Sequence, residues 1–210
     1  MRVKNFLALS LIAITAGCVN TPTVNQTTSN ASQILYQQHV QSIANINQFS
    51  LQGRIGVQTD GKGFSGSLTW QHDAINDNIA LYSPLGGQVA NIKRTSDKVT
   101  LDDGNGHSIS AKNVAELTQS TLGWQLPLEG LADWSLGRPS SSHIRSISWD
   151  DRGLLSTLKQ DDWDIQYQNY TDTNGIFLPS KILLKSEKVN LKLLIEKWFS
   201  LGSIEKSPNN

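Results

Sequence analysis

The chain has 210 residues, 38% of them hydrophobic and 17% charged, with 18 Lys and Arg against 18 Asp and Glu. That balance excludes the basic excess by which nucleic acid or an anionic lipid surface is held electrostatically. A single cysteine excludes an internal disulfide and a cysteine-built metal site.

Arg2 and Lys4 precede an almost wholly apolar run from Phe6 to Ala16, and the small pair Ala16-Gly17 leads into Cys18. Charged start, short apolar core and small-residue cleavage site are the layout of a secretory signal. The run is shorter than the roughly 18 apolar residues a membrane-spanning helix needs, and no later stretch reaches that length. A free thiol is a liability in an oxidising compartment, whereas a Cys at the cleavage point is explained if lipid is attached to its sulfur. The alternative is an ordinary signal with an incidental Cys. Thr15-Ala16-Gly17-Cys18 resembles the bacterial lipobox, departing from it at Thr15, where Leu is commonest. Resemblance to enterobacterial lipoproteins implies that Val19, in place of Asp, directs the chain to the outer membrane. The expected organisation is a signal peptide at 1–17, a lipidated N-terminus with a flexible tether at 18–31, and one domain at 32–210. Loss of Arg2 and Lys4 takes the formal charge to near −2, and the roughly 190 residues left suit one sizeable core.

Val19 to Asn30 is rich in Thr, Asn and Ser, with little to bury, and reads as the tether. Ser32 is a candidate helix cap, and Tyr36, Val40 and Ile43 at helical spacing predict one amphipathic helix to about Asn47. The period then changes to two. Phe49, Leu51, Gly53, Ile55 and Val57 alternate with polar residues, Asp60-Gly61 makes a turn, and Phe64, Gly66, Leu68 and Trp70 alternate on the return. Strands are expected at 78–82, 89–93, 98–101 and 107–111. Asn113 then caps a helical segment in which Val114, Leu117 and Leu122 share a face, and Pro127 opens a second with Leu128, Leu131, Trp134 and Leu136. Gly137 and Pro139 stop it. Strands resume at 144–149, 154–159, 163–169, 182–187 and 189–198. The pattern is mainly β with some α, an incomplete and strongly curved antiparallel barrel of about 10–11 strands. Short interrupted helices midway would cover an apolar cavity as a movable lid.

Chemistry is sparse. The four histidines, His39, His72, His107 and His143, are scattered and read as solvent-facing, so neither a metal nor a catalytic centre is expected, and no cofactor. Gly61, Gly63 and Gly66 match a phosphate-loop spacing, but inside a hairpin, where no helix start aims amides at a pyrophosphate. Asp102 to Gly106 lacks the ligand alternation of a calcium loop and reads as a turn, and Asp161, Asp162 and Asp164 read as a solvated edge. The loop Pro84-Leu85-Gly86 is more telling. A hairpin tip ordinarily carries Asn, Asp or Gly, and a leucine there either folds back on the core or stays in water.

Phe49 through Val57, Gly66 through Gln71, the Pro84-Leu85-Gly86 loop, and Leu126-Pro127-Leu128 through Gly137 together resemble the LolB family of outer-membrane lipoproteins over essentially the whole chain. That resemblance implies a non-enzymatic receptor at the periplasmic face of the outer membrane, anchored by lipid on Cys18. It implies three partners: a LolA-like periplasmic carrier, acylated lipoproteins taken acyl chains first, and outer-membrane lipid. The receptor is expected to be a monomer. The resemblance also makes Leu85 the family's protruding, membrane-inserting leucine and Trp70 an inward-facing cavity tryptophan. Strand alternation adds Phe49, Leu51, Ile55 and Leu68 to the cavity wall, and the helical pieces put Leu117, Leu131 and Trp134 in the lid. For each of these the bland alternative is plain core packing. Two rival classes stand beside the receptor: a scaffold lipoprotein with stable protein partners, and an envelope hydrolase.

Overall fold

A computed structural model describes residues 30–122 and 125–202. The signal peptide, Cys18 and the tether up to residue 29 therefore lie outside the described residues. The first element is α1 (Asn30–Ile43), which starts two residues before Ser32. Ser32 is consequently buried inside the first turn of the helix and does not cap it.

Period-two alternation produces β1 (Gln48–Thr59) and β2 (Gly63–His72), with Thr59 N–H donating to the Lys62 carbonyl at 2.9 Å across the turn. A meander follows: β3 (Asp77–Tyr82), β4 (Gln88–Arg94), β5 (Val99–Asp103) and β6 (Ser108–Ala111). The chain then leaves the sheet through α2 (Val114–Leu122) and α3 (Leu128–Ser135). Asn113 Oδ1 accepts from Glu116 N–H at 2.8 Å at the start of α2. At the end of α3, Gly137 takes φ +82, a conformation that favours glycine. The third member of the expected α2 face, Leu122, has its side chain outside the described residues.

The return half is β7 (Ile144–Trp149), β8 (Leu155–Gln160), β9 (Trp163–Thr173), β10 (Ile176–Lys185) and β11 (Val189–Gly202). β10 begins six residues before the expected Ile182, because Pro179 does not end it. Pro179 lies opposite Tyr170 just before a register shift, where a missing amide donor is tolerated.

All eleven strands form one sheet in the order β6-β5-β4-β3-β2-β1-β11-β10-β9-β8-β7, antiparallel throughout. The two halves meet where β1 pairs with β11, while β6 and β7 stay as unpaired edges. The sheet curls without closing. Sharp coiling is visible at Gly53, where a Cβ would stand 2.0 Å from the Leu194 carbonyl oxygen beside a bulge, so a side chain there would force the strands apart. The concave face carries one hydrophobic core, to which both sheet halves and all three helices among the described residues contribute.

Candidate functional site

Register brings the expected wall residues together. Leu51 lies between Trp70 of β2 and Trp198 of β11, and Phe49 packs edge-on to both tryptophans, at centroid distances of 4.9 and 5.4 Å. Leu68 is buried beside them, while Ile55 is only partly buried against the same core. Leu117, Leu131 and Trp134 from the helical insert are all buried and belong to the same hydrophobic cluster as those strand residues. A groove of about 670 Å³ runs beside the α2–α3 segment, where Val99, Val114, Leu126 and Leu128 line it together with Arg94, Asp133 and Ser141.

Polar groups that sequence reasoning did not single out hold the helical insert in place. The fully buried Gln160 accepts the Trp134 indole N–H at 2.8 Å, and its own amide donates to the Ser140 and Ser142 carbonyls at 3.0 and 2.8 Å. Thr118 Oγ1 accepts the Leu126 N–H at 2.9 Å and so ties the link between the lid helices back onto α2. Arg138 donates to the carbonyls of Ile43, Ala44 (3.2 Å) and Ile46 (2.8 Å) and pairs with Asp133 at 2.7 Å. One guanidinium thus joins the end of α1 to the end of α3. No local pattern advertises such a residue, since its partners lie more than ninety positions away. Arg138→Ala is expected to cost about 1–3 kcal/mol by leaving those carbonyls without their donor. Hydrogen exchange should show α1 amides losing protection while those of β1 and β11 keep theirs, and unchanged α1 protection would refute the latch.

A second buried network sits at the wall. Asp77 Oδ1 accepts the Trp70 indole N–H at 2.7 Å and contacts His72 Nδ1 at 2.7 Å, and its Oδ2 accepts from Arg94 Nε. His72 is therefore not the solvent-facing residue expected, because the β2–β3 turn folds it onto Asp77, and it stacks on Phe49 at 4.8 Å. His39 is also drawn inward, edge-on to Tyr170 at 6.5 Å, because α1 docks that face on the sheet. Burial pushes the His39 pKa down, an effect the Asp150 charge partly opposes. His107 and His143 are exposed, as expected.

Asp103 is a turn residue, taking N–H donors from Asn105 and His107 at 2.9 Å each. A hydrogen bond from the His107 ring leads in lowering its pKa to about 2. Asp164 pairs with Arg145 and Lys159 at the surface. Among the described residues, no group of three or more His, Cys, Asp and Glu is placed to hold a metal ion.

The Leu85 loop is built tightly. Ser83 N–H donates to the Gly87 carbonyl at 2.8 Å, Gly86 N–H to the Ser83 carbonyl at 2.9 Å, and Gly86 takes φ +88 with open space where a Cβ would stand. Leu85 is 98% exposed, so it does not fold back on the core. The loop's own hydrogen bonds and its left-handed glycine present the side chain to solvent.

Comparison with known proteins adds a family and a fold. The family model described as "Outer membrane lipoprotein LolB" matches residues 47–198. An "Outer-membrane lipoprotein LolB" from Pseudomonas savastanoi pv. phaseolicola is 27% identical over 198 residues, which cover 94% of this chain and 97% of the relative. A protein of the same description from Stutzerimonas stutzeri is 28% identical over 196 residues, covering 93% and 95%. Among solved structures, a LolA superfamily protein from Nitrosomonas europaea superposes with a TM-score of 0.50 at 9% identity, over 86% of this chain and 96% of that one. A DUF1329 family protein from Desulfovibrio piger gives the same TM-score at 7% identity, with the same coverage. At such identities these structures speak to the fold alone.

Proposed function

The chain belongs to the LolB family of outer membrane lipoproteins, and from that premise we propose that it is the outer-membrane receptor of lipoprotein sorting, taking acylated lipoproteins from a LolA-like periplasmic carrier and releasing them into the bilayer. The observation that carries this reading is a curled, unclosed sheet whose apolar concave face is covered by short helices pinned through a few polar contacts. Such an interior suits long alkyl chains. At about 0.8 kcal/mol per CH₂ exposed to water, a sixteen-carbon chain costs on the order of 12 kcal/mol to carry unprotected. Free diffusion of an acylated protein is thereby effectively forbidden, and a shielded hand-over avoids that cost.

In this reading Phe49, Leu51, Ile55, Leu68 and Trp70 line the acyl-chain cavity once Leu117, Leu131 and Trp134 swing away. The closed packing is the state without cargo. Each transfer runs downhill, from a weaker-binding carrier to this receptor and then to bilayer. Residues 1–17 act as the signal peptide, Cys18 carries the lipid, and the residues up to 31 tether a monomeric domain. Among the described residues no helix is long and apolar enough to cross a membrane, which accords with lipid anchoring.

The test starts from the mature chain with Cys18→Ala, mixed with carrier loaded with an acylated lipoprotein. Co-purification should show cargo moving to this protein. Cargo that stays on a carrier competent to deliver elsewhere would sink the receptor reading in favour of a scaffold role.

A further inference from the structure

Beneath α1 the interior stops being purely apolar. Tyr36 and His39, three positions apart on one helix face, point at β7–β9. Tyr36 stacks on Trp149 at 4.5 Å and 4°, His39 meets Tyr170 edge-on, and Tyr170 lies 6.0 Å from Tyr167. Both Tyr167 and Tyr170 feel the Tyr36 phenol. These side chains therefore form one aromatic cluster beneath α1. It adjoins the main core, of which Tyr167 is a member and against which Tyr36 and Tyr170 pack.

Three polar atoms here are buried without a hydrogen-bond partner among the described residues: Tyr167 OH, Trp149 Nε1 and His39 Nε2. Tyr167 itself is only 8% exposed. Tyr170, by contrast, donates to the Leu155 carbonyl at 2.9 Å, so the geometry does permit a phenol to be satisfied. A buried orphan hydroxyl or indole N–H costs about 1–3 kcal/mol, and three such atoms in one cluster stay unfavourable unless something polar reaches them. The visitor's chemistry is constrained. Trp149 offers only a donor, burial holds Tyr167 protonated and able to donate, and no charged group is among the orphans. Uncharged acceptors bound to apolar groups match that set.

Building on the receptor reading, we infer that this cluster receives the ester and amide carbonyls at the head of the cargo's acyl chains once α1 lifts, with Tyr167 and Trp149 donating to them while the alkyl tails fill the adjoining core. The core recognises chain length only weakly, since every CH₂ is alike. Carbonyl recognition would tell a lipidated N-terminus from any other alkyl chain and fix how deep the tails run. Lifting α1 to admit that head group also releases the Arg138 contacts to Ile43 and Ile46, so latch and cluster share one movement.

The probes are a synthetic lipopeptide with three palmitoyl chains in ester and amide linkage, and an analogue with ether linkages in place of the esters. Both compete for the mature Cys18→Ala chain against an apolar fluorescent dye. The ester form should bind about fivefold to tenfold more tightly, the range expected of one or two hydrogen bonds. Tyr167→Phe should reduce that preference to near unity, leave the ether analogue's affinity unchanged and not lower the melting temperature, because an unsatisfied hydroxyl is removed without a change of shape. Equal binding of the two probes by the unmodified side-chain set overturns the inference and leaves the receptor reading standing. So does a Tyr167→Phe variant that keeps the preference. Binding of neither probe overturns both. Should Tyr167→Phe fail to fold, the ester-to-ether ratio of the parent chain decides alone.

Discussion

Leu85→Glu is expected to leave acceptance of cargo from the carrier intact and to lower its insertion into phospholipid vesicles by about tenfold or more. Burying a leucine side chain gains roughly 1.5–3 kcal/mol, a factor of ten to a hundred in the membrane-bound population, and a carboxylate adds a penalty of its own. Nothing in the fold should respond, because the side chain is 98% exposed and the loop is held by its own backbone bonds. In the receptor reading, a contact of that size would direct release toward a bilayer without holding the loop there afterwards. Leu85→Phe should retain insertion. Two assays on one protein decide the matter: co-purification with cargo after mixing with loaded carrier, and flotation of the released cargo with vesicles. Insertion at the parent rate in the glutamate variant would remove the loop from the mechanism.

The other large effect is on stability. Asp77→Ala should destabilise the domain by about 3–5 kcal/mol, the cost of leaving a mostly buried cation without its anion. Asp77 has 1% of its side chain exposed and Arg94 15%, so water cannot replace the lost carboxylate easily. The Trp70 indole N–H and His72 lose their acceptor in the same step. Against a total stability of roughly 5–15 kcal/mol this is a large fraction. Asp77→Asn, which keeps an acceptor for Trp70 and loses the charge, should fall between. Urea unfolding followed by tryptophan fluorescence measures both, and a midpoint shift worth less than about 1 kcal/mol in the alanine variant would show the network to be peripheral. The consequence reaches the candidate site, since the indole that Asp77 holds is the ring packed edge-on to Phe49.

The local part of this architecture was legible in the residues. Alternation of Phe49, Leu51 and Gly53 defines an inward strand face because side chains in extended backbone point up and down in turn. Asn113, Gly137 and Pro139 mark helix ends because caps and stops act over one turn. Errors arose where local rules compete with tertiary context. Ser32 has a cap's chemistry but sits two residues inside a helix that begins at Asn30, and the strand expected from Ile182 begins at Ile176. The histidine assignments failed for the same reason: exposure is decided by what docks, and α1 and the β2–β3 turn fold His39 and His72 inward.

By itself, then, the sequence determined the lipobox-like leader, the strand and helix periods, and a leucine at a loop tip, each written in residues that are neighbours along the chain. Only the tertiary structure decided that Arg138 reaches Ile43 and Ile46, that Gln160 holds Trp134, and that Tyr36 and His39 pack on Trp149 and Tyr170. The period of a strand says which face is apolar. It does not say which distant polar atom will be met there, because that partner depends on the register, coil and bulges of the whole sheet.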